Sequence, residues 1–128
     1  MERTEMIKDR RRIAKIFIKY ARLGLAADGL DVLDIYGRIM GSCRTRESAR
    51  ELLAVCDTVR FLRISGKEDA LEAVQEIYFP TRGRAYSKSE ISGRVIRYAH
   101  KRNCDERTVY RRLAYAIRVY EAVLDSYK

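Results

Sequence analysis

Tryptophan is absent from this chain, and proline occurs once, at Pro80. Glycine occurs only seven times in 128 residues. Because proline and glycine interrupt helices most strongly, their scarcity favours long helical segments. No apolar run approaches the ~20 residues that a membrane-spanning helix needs. The start, MERTEMIKDRRR, is charged and no apolar segment follows it, so we expect no secretory signal peptide.

Cysteine is also scarce, with an odd count of three, at Cys43, Cys56 and Cys104. This favours a reducing, cytoplasmic setting over a disulfide framework. His100 and Cys104 are four positions apart, but Cys43 and Cys56 lack the C-x2–4-C spacing of structural zinc sites. The sequence contains no H-E-x-x-H, G-x-S-x-G or P-loop pattern. We therefore expect no metal, no cofactor and no enzymatic activity.

Acidic residues are scarce in one third of the chain. Residues 82–118 carry 11 Lys and Arg against 3 Asp and Glu, a net of +8 (11 − 3), while the whole chain carries +9. A local excess of this size indicates a polyanionic partner more specifically than a basic pI does. A membrane surface is not the expected partner, because a membrane-binding helix would expose Trp, Phe or Leu on its apolar face.

Apolar residues recur with helical spacing and predict an all-α fold, a small helical bundle with a C-terminal helix-turn-helix. Gly24 and Gly66 are the expected ends of two helices, and Asp31 and Asp105 are expected N-caps. The periodic segments are RRRIAKIFIKYARLG, DVLDIYGRIM, TRESARELLAVCDTVRFLRISG, KEDALEAVQEIYF, SKSEISGRVIRYAHKRN and DERTVYRRLAYAIRVYEAVL. Apolar residues make up 47% of the chain, which suffices for a core and argues against disorder.

The segment PTRGRAY is the expected internal boundary, because Pro80 opposes helix continuation and Gly83 permits a tight bend. The charge distribution changes at the same place. We predict an N-terminal helical half over residues 1–80, which supplies core and either a dimer contact or an RNA polymerase contact. Residues 81–128 are the predicted DNA-binding half.

One face of the last segment is rich in arginine. At roughly 100° per residue, with Val109 inward at 0°, Leu113 falls at about 40° and Arg107, Arg111 and Arg118 fall at about 160–200°. The planar fork of arginine can hold guanine or phosphate through two hydrogen bonds. A solvated basic face is the ordinary interpretation of such a helix, but the +8 of residues 82–118 favours nucleic-acid contact.

The segments on either side of Asn103 follow a helix-turn-helix pattern. Ser87 and Glu90 form the S-x-x-E capping box that predicts the start of the first helix. Asn103 predicts a turn, and Asp105 predicts the start of the second helix. The start of a second helix of this kind usually enters the major groove, and this one is rich in arginine.

DERTVYRRLAYAIRVYEAVL resembles the second helix of the helix-turn-helix in region 4 of sigma-70 factors. It is more similar still to phage regulators with a region-4-like domain, such as the ArpU and RinA late-transcription families. The matching core is Asp105, T-V-Y-R-R-L from Thr108 to Leu113, and Ala116, while SKSEISGRVI resembles the preceding helix. The resemblance covers residues 86–124. Ile91 and Thr108 lie 17 positions apart (108 − 91), more than in the compact motif, so a longer first helix or turn is expected.

The resemblance implies sequence-specific binding of double-stranded DNA and control of transcription in a phage or mobile element. The resemblance places Arg107, Thr108, Arg111 and Arg112 at the DNA groove. Further DNA-contact candidates on the same helix are Tyr110, Tyr115 and Arg118. Implied phosphate contacts, which position without specifying sequence, are Ser87, Lys88, Lys101 and Arg102, with Arg82, Arg84, Arg94 and Arg97 as weaker candidates. RNA polymerase and a second copy of the chain are further expected partners. The alternative function is a small basic protein-interaction or inhibitor module that docks on a nucleic-acid-binding partner.

Overall fold

The computed structural model describes residues 3–27, 29–79 and 88–127. Within these ranges the chain is helical and contains no strand, which confirms the all-α prediction. The helices are α1 (Arg3–Arg22), α2 (Val32–Ser42), α3 (Arg46–Ile64), α4 (Glu68–Ile77), α5 (Lys88–Lys101) and α6 (Glu106–Ser126). None of the described helices is long and apolar enough to span a bilayer.

Side-chain caps fix where the helices begin. Asp31 accepts a hydrogen bond from the backbone N–H of Asp34 at 2.8 Å, and Thr45 caps α3 in the same way. The carboxylate of Asp105 accepts the backbone N–H of Thr108 at 2.8 Å. Each cap satisfies a donor that the first helical turn leaves without an intrahelical partner. The predicted N-caps Asp31 and Asp105 are confirmed.

Residues with positive φ end three of the helices. Gly24 (φ 75°) and Gly66 (φ 76°) follow α1 and α3, as their positions in the sequence predict, and Asn103 (φ 53°) follows α5. Beyond Asn103, the Cys104 N–H donates to the Ala99 carbonyl at 3.0 Å. This hydrogen bond is typical of a helix that ends in a left-handed residue, a conformation that asparagine tolerates better than most residues. The predicted turn at Asn103 is therefore confirmed.

The last helix lies at the centre of the core. Helix α6 packs against α1, α3, α4 and α5. Its buried residues are Val109, Leu113, Ala116, Ile117 and Tyr120. The Tyr120 ring meets Phe17 of α1 edge-on, with centroids 5.5 Å apart. The buried side chains of all six helices form one cluster, so the described parts of residues 1–80 and 81–128 share a core. The boundary at residue 80 stays a prediction.

Hydrogen bonds to one carboxylate hold the end of the chain against α3. Asp57 accepts the hydroxyl of Tyr36 in α2 at 3.1 Å and the hydroxyl of Tyr127, just beyond α6. Two elements distant in sequence therefore converge on α3 through one acceptor. The Tyr127 hydrogen bond therefore holds the C-terminal end of α6 against α3.

One apolar residue of α5 faces away from the core. Ile96 belongs to the periodic segment SKSEISGRVIRYAHKRN and is 52% exposed. Val95, Tyr98 and Ala99 supply the buried face instead. Helix α5 packs against α4 and α6, so its buried sector is narrow and the adjoining position stays in solvent.

Candidate nucleic-acid interface

The two faces of α6 differ as the helical spacing predicts. Val109 and Leu113 are 0% and 2% exposed, whereas Arg107, Arg111 and Arg118 are exposed. The packing of α6 onto α3, α4 and α5 buries the apolar face and leaves the opposite face to solvent. The predicted position of these arginines, on the exposed side of the helix, is confirmed.

A groove separates this side of α6 from the start of α4. It encloses about 450 Å³ and is lined by Gly66, Lys67, Asp69, Ala70, Thr108, Arg111, Arg112, Tyr115 and Arg118. Five of the lining residues were expected at DNA from the sequence: Thr108, Arg111, Arg112, Tyr115 and Arg118. The groove adds a basic residue from another element, Lys67, which lies in the turn between α3 and α4.

Lys67 is positioned by an aromatic ring. Its Nζ atom lies 5.7 Å from the centroid of Tyr115, a distance at which an ammonium group is attracted to the ring face. Lys67 also occupies the N-cap position of α4 and makes no side-chain cap hydrogen bond. An ammonium group has only donors and cannot accept from the first N–H groups of a helix, so Lys67 contributes no cap, and its charge lies beside Tyr115 on the groove wall.

The Thr108 side chain is held by the cap of α6. Its hydroxyl donates to Asp105 Oδ1 at 2.8 Å, beside the backbone hydrogen bond to the same oxygen. These two bonds, the backbone one first, lower the pKa of Asp105, and the charges of Arg107 and Arg111 act in the same direction. The carboxylate stays ionised and holds the first turn of α6 in register.

Arg112 is oriented towards the neighbouring helices. It is half-buried, and its Nη2 atom lies 3.9 Å from the carboxylate of Asp69. Its positive charge also acts on Tyr98 of α5, whose hydroxyl donates to Glu72 at 2.7 Å. Burial, and then Glu72, raise the pKa of Tyr98 to about 12, while Arg112 opposes the shift. Arg112 therefore contacts α4 and is less exposed than Arg107 and Arg111.

The two basic residues at the end of α5 make ion pairs within the protein. Lys101 Nζ lies 3.4 Å from Glu76 Oε1, and Arg102 Nε lies 2.6 Å from Glu72 Oε1. Both basic side chains remain about half exposed. A phosphate at this turn would compete with carboxylates of α4. The role of Lys101 and Arg102 as phosphate contacts stays a prediction. Their ion pairs reduce the net positive charge that the turn offers to a phosphate.

The remaining predicted residues are scattered. Tyr110 is 45% exposed and is not among the residues that line the groove. Arg94 donates to the carbonyl of Ile77 at 3.4 Å, and Arg97 is exposed on α5. Three more, Ser87, Arg82 and Arg84, lie outside the described residues, as does the side chain of Lys88 at the start of α5.

None of the three cysteines lines the groove. Cys43 and Cys104 are half-buried, and Cys56 is buried, with its thiol pKa raised chiefly by burial. Across residues 3–27, 29–79 and 88–127, no three His, Cys, Asp or Glu side chains gather in a way that could hold a metal ion.

Sequence reasoning missed Lys67 and the acidic residues of α4. Lys67 follows Gly66 and precedes Glu68, a pattern typical of an ordinary helix start. Nothing local shows that this turn lies beside α6, because the arrangement depends on how α4 packs against α6.

Comparisons of the chain with protein-family models, with curated proteins and with solved structures found no match.

Proposed function

We propose that this chain binds double-stranded DNA as a sequence-specific regulator of transcription, with the exposed side of α6 in the major groove. The observation that carries the proposal is the column formed by Arg107, Arg111 and Arg118 on a helix whose opposite side is buried. A rigid helix with exposed arginines suits the major groove, which admits an α-helix and presents guanine acceptors to their planar forks.

The length of the column fits a short recognition site. Arg107 and Arg118 are 11 residues apart (118 − 107), which corresponds to about 16 Å along a helix. At ~3.4 Å per nucleotide, this spans about five base pairs. Arg107 and Arg111 lie near the start of α6 and are the base-reading candidates. Arg118, almost two turns beyond Arg111, is placed to meet the flanking backbone.

Helices α5 and α6 together form the proposed helix-turn-helix. Arg102 to Asp105 separate them, and α5 has 14 residues. The long spacing between Ile91 and Thr108 therefore arises from a long first helix followed by a short turn. We take this pair as the region-4-like unit that the sequence resemblance implies, in a regulator of phage or mobile-element type that could also contact RNA polymerase.

A protein-interaction module is the second candidate, favoured by a different surface. Leu33 and Met40 lie seven positions apart on α2 and are 80% and 65% exposed. Two large apolar side chains on one helix face fit a protein partner better than DNA. This surface is separate from the arginine column, and a chain that used only α2 would show no duplex preference.

A binding selection from a randomised duplex library tests the proposal. The variants are Arg107→Ala/Arg111→Ala and, as a matched control, Arg46→Ala/Arg50→Ala, which removes the same charge at the same spacing from exposed positions of α3. We expect the wild-type chain and the control to enrich one motif and the α6 variant to lose it. A wild-type chain with only weak, salt-insensitive association would contradict DNA binding. Full preference in the α6 variant would show that another element reads the sequence.

A further inference from the structure

The groove between α4 and α6 concentrates positive charge from two elements. Of the lining residues, Lys67, Arg111, Arg112 and Arg118 are basic and Asp69 is acidic, a net of +3 (4 − 1). Asp69 lies 3.9 Å from Arg112. The ion pairs found among the described residues involve none of Lys67, Arg111 and Arg118. Like charges that face one groove repel, and a bound anion would relieve this repulsion.

We propose that this groove binds a phosphate group, and that Lys67 is its principal ligand from outside α6. The inference rests on the proposed function in one respect: it takes the phosphate from the backbone of the DNA that α6 reads. Arg111 and Arg118 belong both to the exposed column and to the groove wall. A strand whose bases meet the start of α6 therefore passes the groove along the same side of the helix.

The residues supply complementary phosphate chemistry. Lys67 offers a point charge with three donors, while an arginine can hold two phosphate oxygens at once. The Tyr115 ring, 5.7 Å from Lys67 Nζ, holds the ammonium group over the groove and lowers the entropy that phosphate binding would otherwise cost. The groove is partly open to solvent and its volume of about 450 Å³ is large enough to admit a phosphate group.

Titration of a labelled duplex over a series of KCl concentrations tests this assignment. The duplex carries the motif found by selection, and the proteins are wild type, Lys67→Gln, Lys67→Arg and Lys15→Gln. Lys15 is an exposed lysine of α1, so its variant controls for net charge. We expect Lys67→Gln to reduce the slope of log K against log salt by about 0.9, the contribution of one phosphate. It should weaken specific and non-specific duplexes by the same factor. Lys67→Arg and Lys15→Gln should keep the wild-type slope.

A second titration, with inorganic pyrophosphate and no DNA, separates the two sources of phosphate. Amide NMR shifts of Gly66 and Ala70 report occupancy of the groove. One outcome is that pyrophosphate shifts these amides in wild type and not in Lys67→Gln, while wild type does not bind duplex DNA. That result would support the phosphate site, assign it to free phosphate compounds and reject the DNA function. If Lys67→Gln keeps the wild-type salt slope and pyrophosphate causes no amide shifts, the groove is not a phosphate site, and the proposed DNA function is unaffected. If wild type neither binds duplex DNA nor shows pyrophosphate-induced amide shifts, both the phosphate site and the DNA function are rejected.

Discussion

Replacing Tyr120 by phenylalanine should stabilise the protein. The Tyr120 side chain is 0% exposed, and no described residue accepts or donates a hydrogen bond to its hydroxyl. A buried polar group without a partner costs about 1–3 kcal/mol relative to the same group in water. Phenylalanine keeps the ring that packs against Phe17, with centroids 5.5 Å apart, and removes the oxygen. We expect a gain of about 1 kcal/mol, which corresponds to a rise in melting temperature of about 4 °C.

The same substitution at Tyr98 is the matched control. Tyr98 is also buried, but its hydroxyl donates to Glu72 at 2.7 Å, so Tyr98→Phe leaves that acceptor with one partner fewer. We expect it to destabilise by about 1 kcal/mol. Urea unfolding followed by circular dichroism measures the free energy of unfolding of both variants. Unchanged m-values would show that only the stability has changed. Equal destabilisation by the two variants would refute the reasoning, because it would mean that Tyr120 has a hydrogen-bond partner.

Two further predictions concern charges around the α5–α6 pair. Asp105 has a lowered pKa in the folded state, so its contribution to stability is complete above ~3.9, the unfolded value, and is lost as pH falls through the folded value. The melting temperature of Asp105→Asn should therefore approach that of wild type as pH falls below ~4, and a constant difference would contradict this. Glu76→Gln removes the partner of Lys101, 3.4 Å away. Fluorescence anisotropy should show tighter duplex binding and a salt slope larger by at most about 0.9, and unchanged affinity would exclude Lys101 as a phosphate contact.

Features set by short-range geometry could be predicted from the sequence. The cap at Asp105 depends on a hydrogen bond to Thr108, three residues on. The opposition of Val109 to Arg111 depends only on helical periodicity. Asn103, with φ of 53°, ends α5, as expected for a turn residue that lies between two periodic segments. These features required no knowledge of which helices become neighbours.

Features set by tertiary packing could not be predicted. Lys101 and Glu76 are 25 residues apart in sequence, and their ion pair exists because α4 packs against α5. Lys67 meets Tyr115 because α4 also packs against α6. The exposure of Ile96 has the same origin, since periodicity shows that a face is apolar but not how wide a sector its neighbours cover. The groove belongs to this class, and its α4 side therefore lay beyond sequence reasoning.

The ratio of affinities for the selected duplex and a scrambled duplex tests the central claim most directly. Wild type should prefer the selected duplex by about 10³-fold or more. Each arginine that reads a guanine contributes about 1–3 kcal/mol of discrimination, so Arg107→Ala/Arg111→Ala should reduce the ratio by at least about thirty-fold. The control Arg46→Ala/Arg50→Ala should keep it. A ratio near one in wild type, or a full ratio in the α6 variant, would contradict the account of α6 as the reading helix.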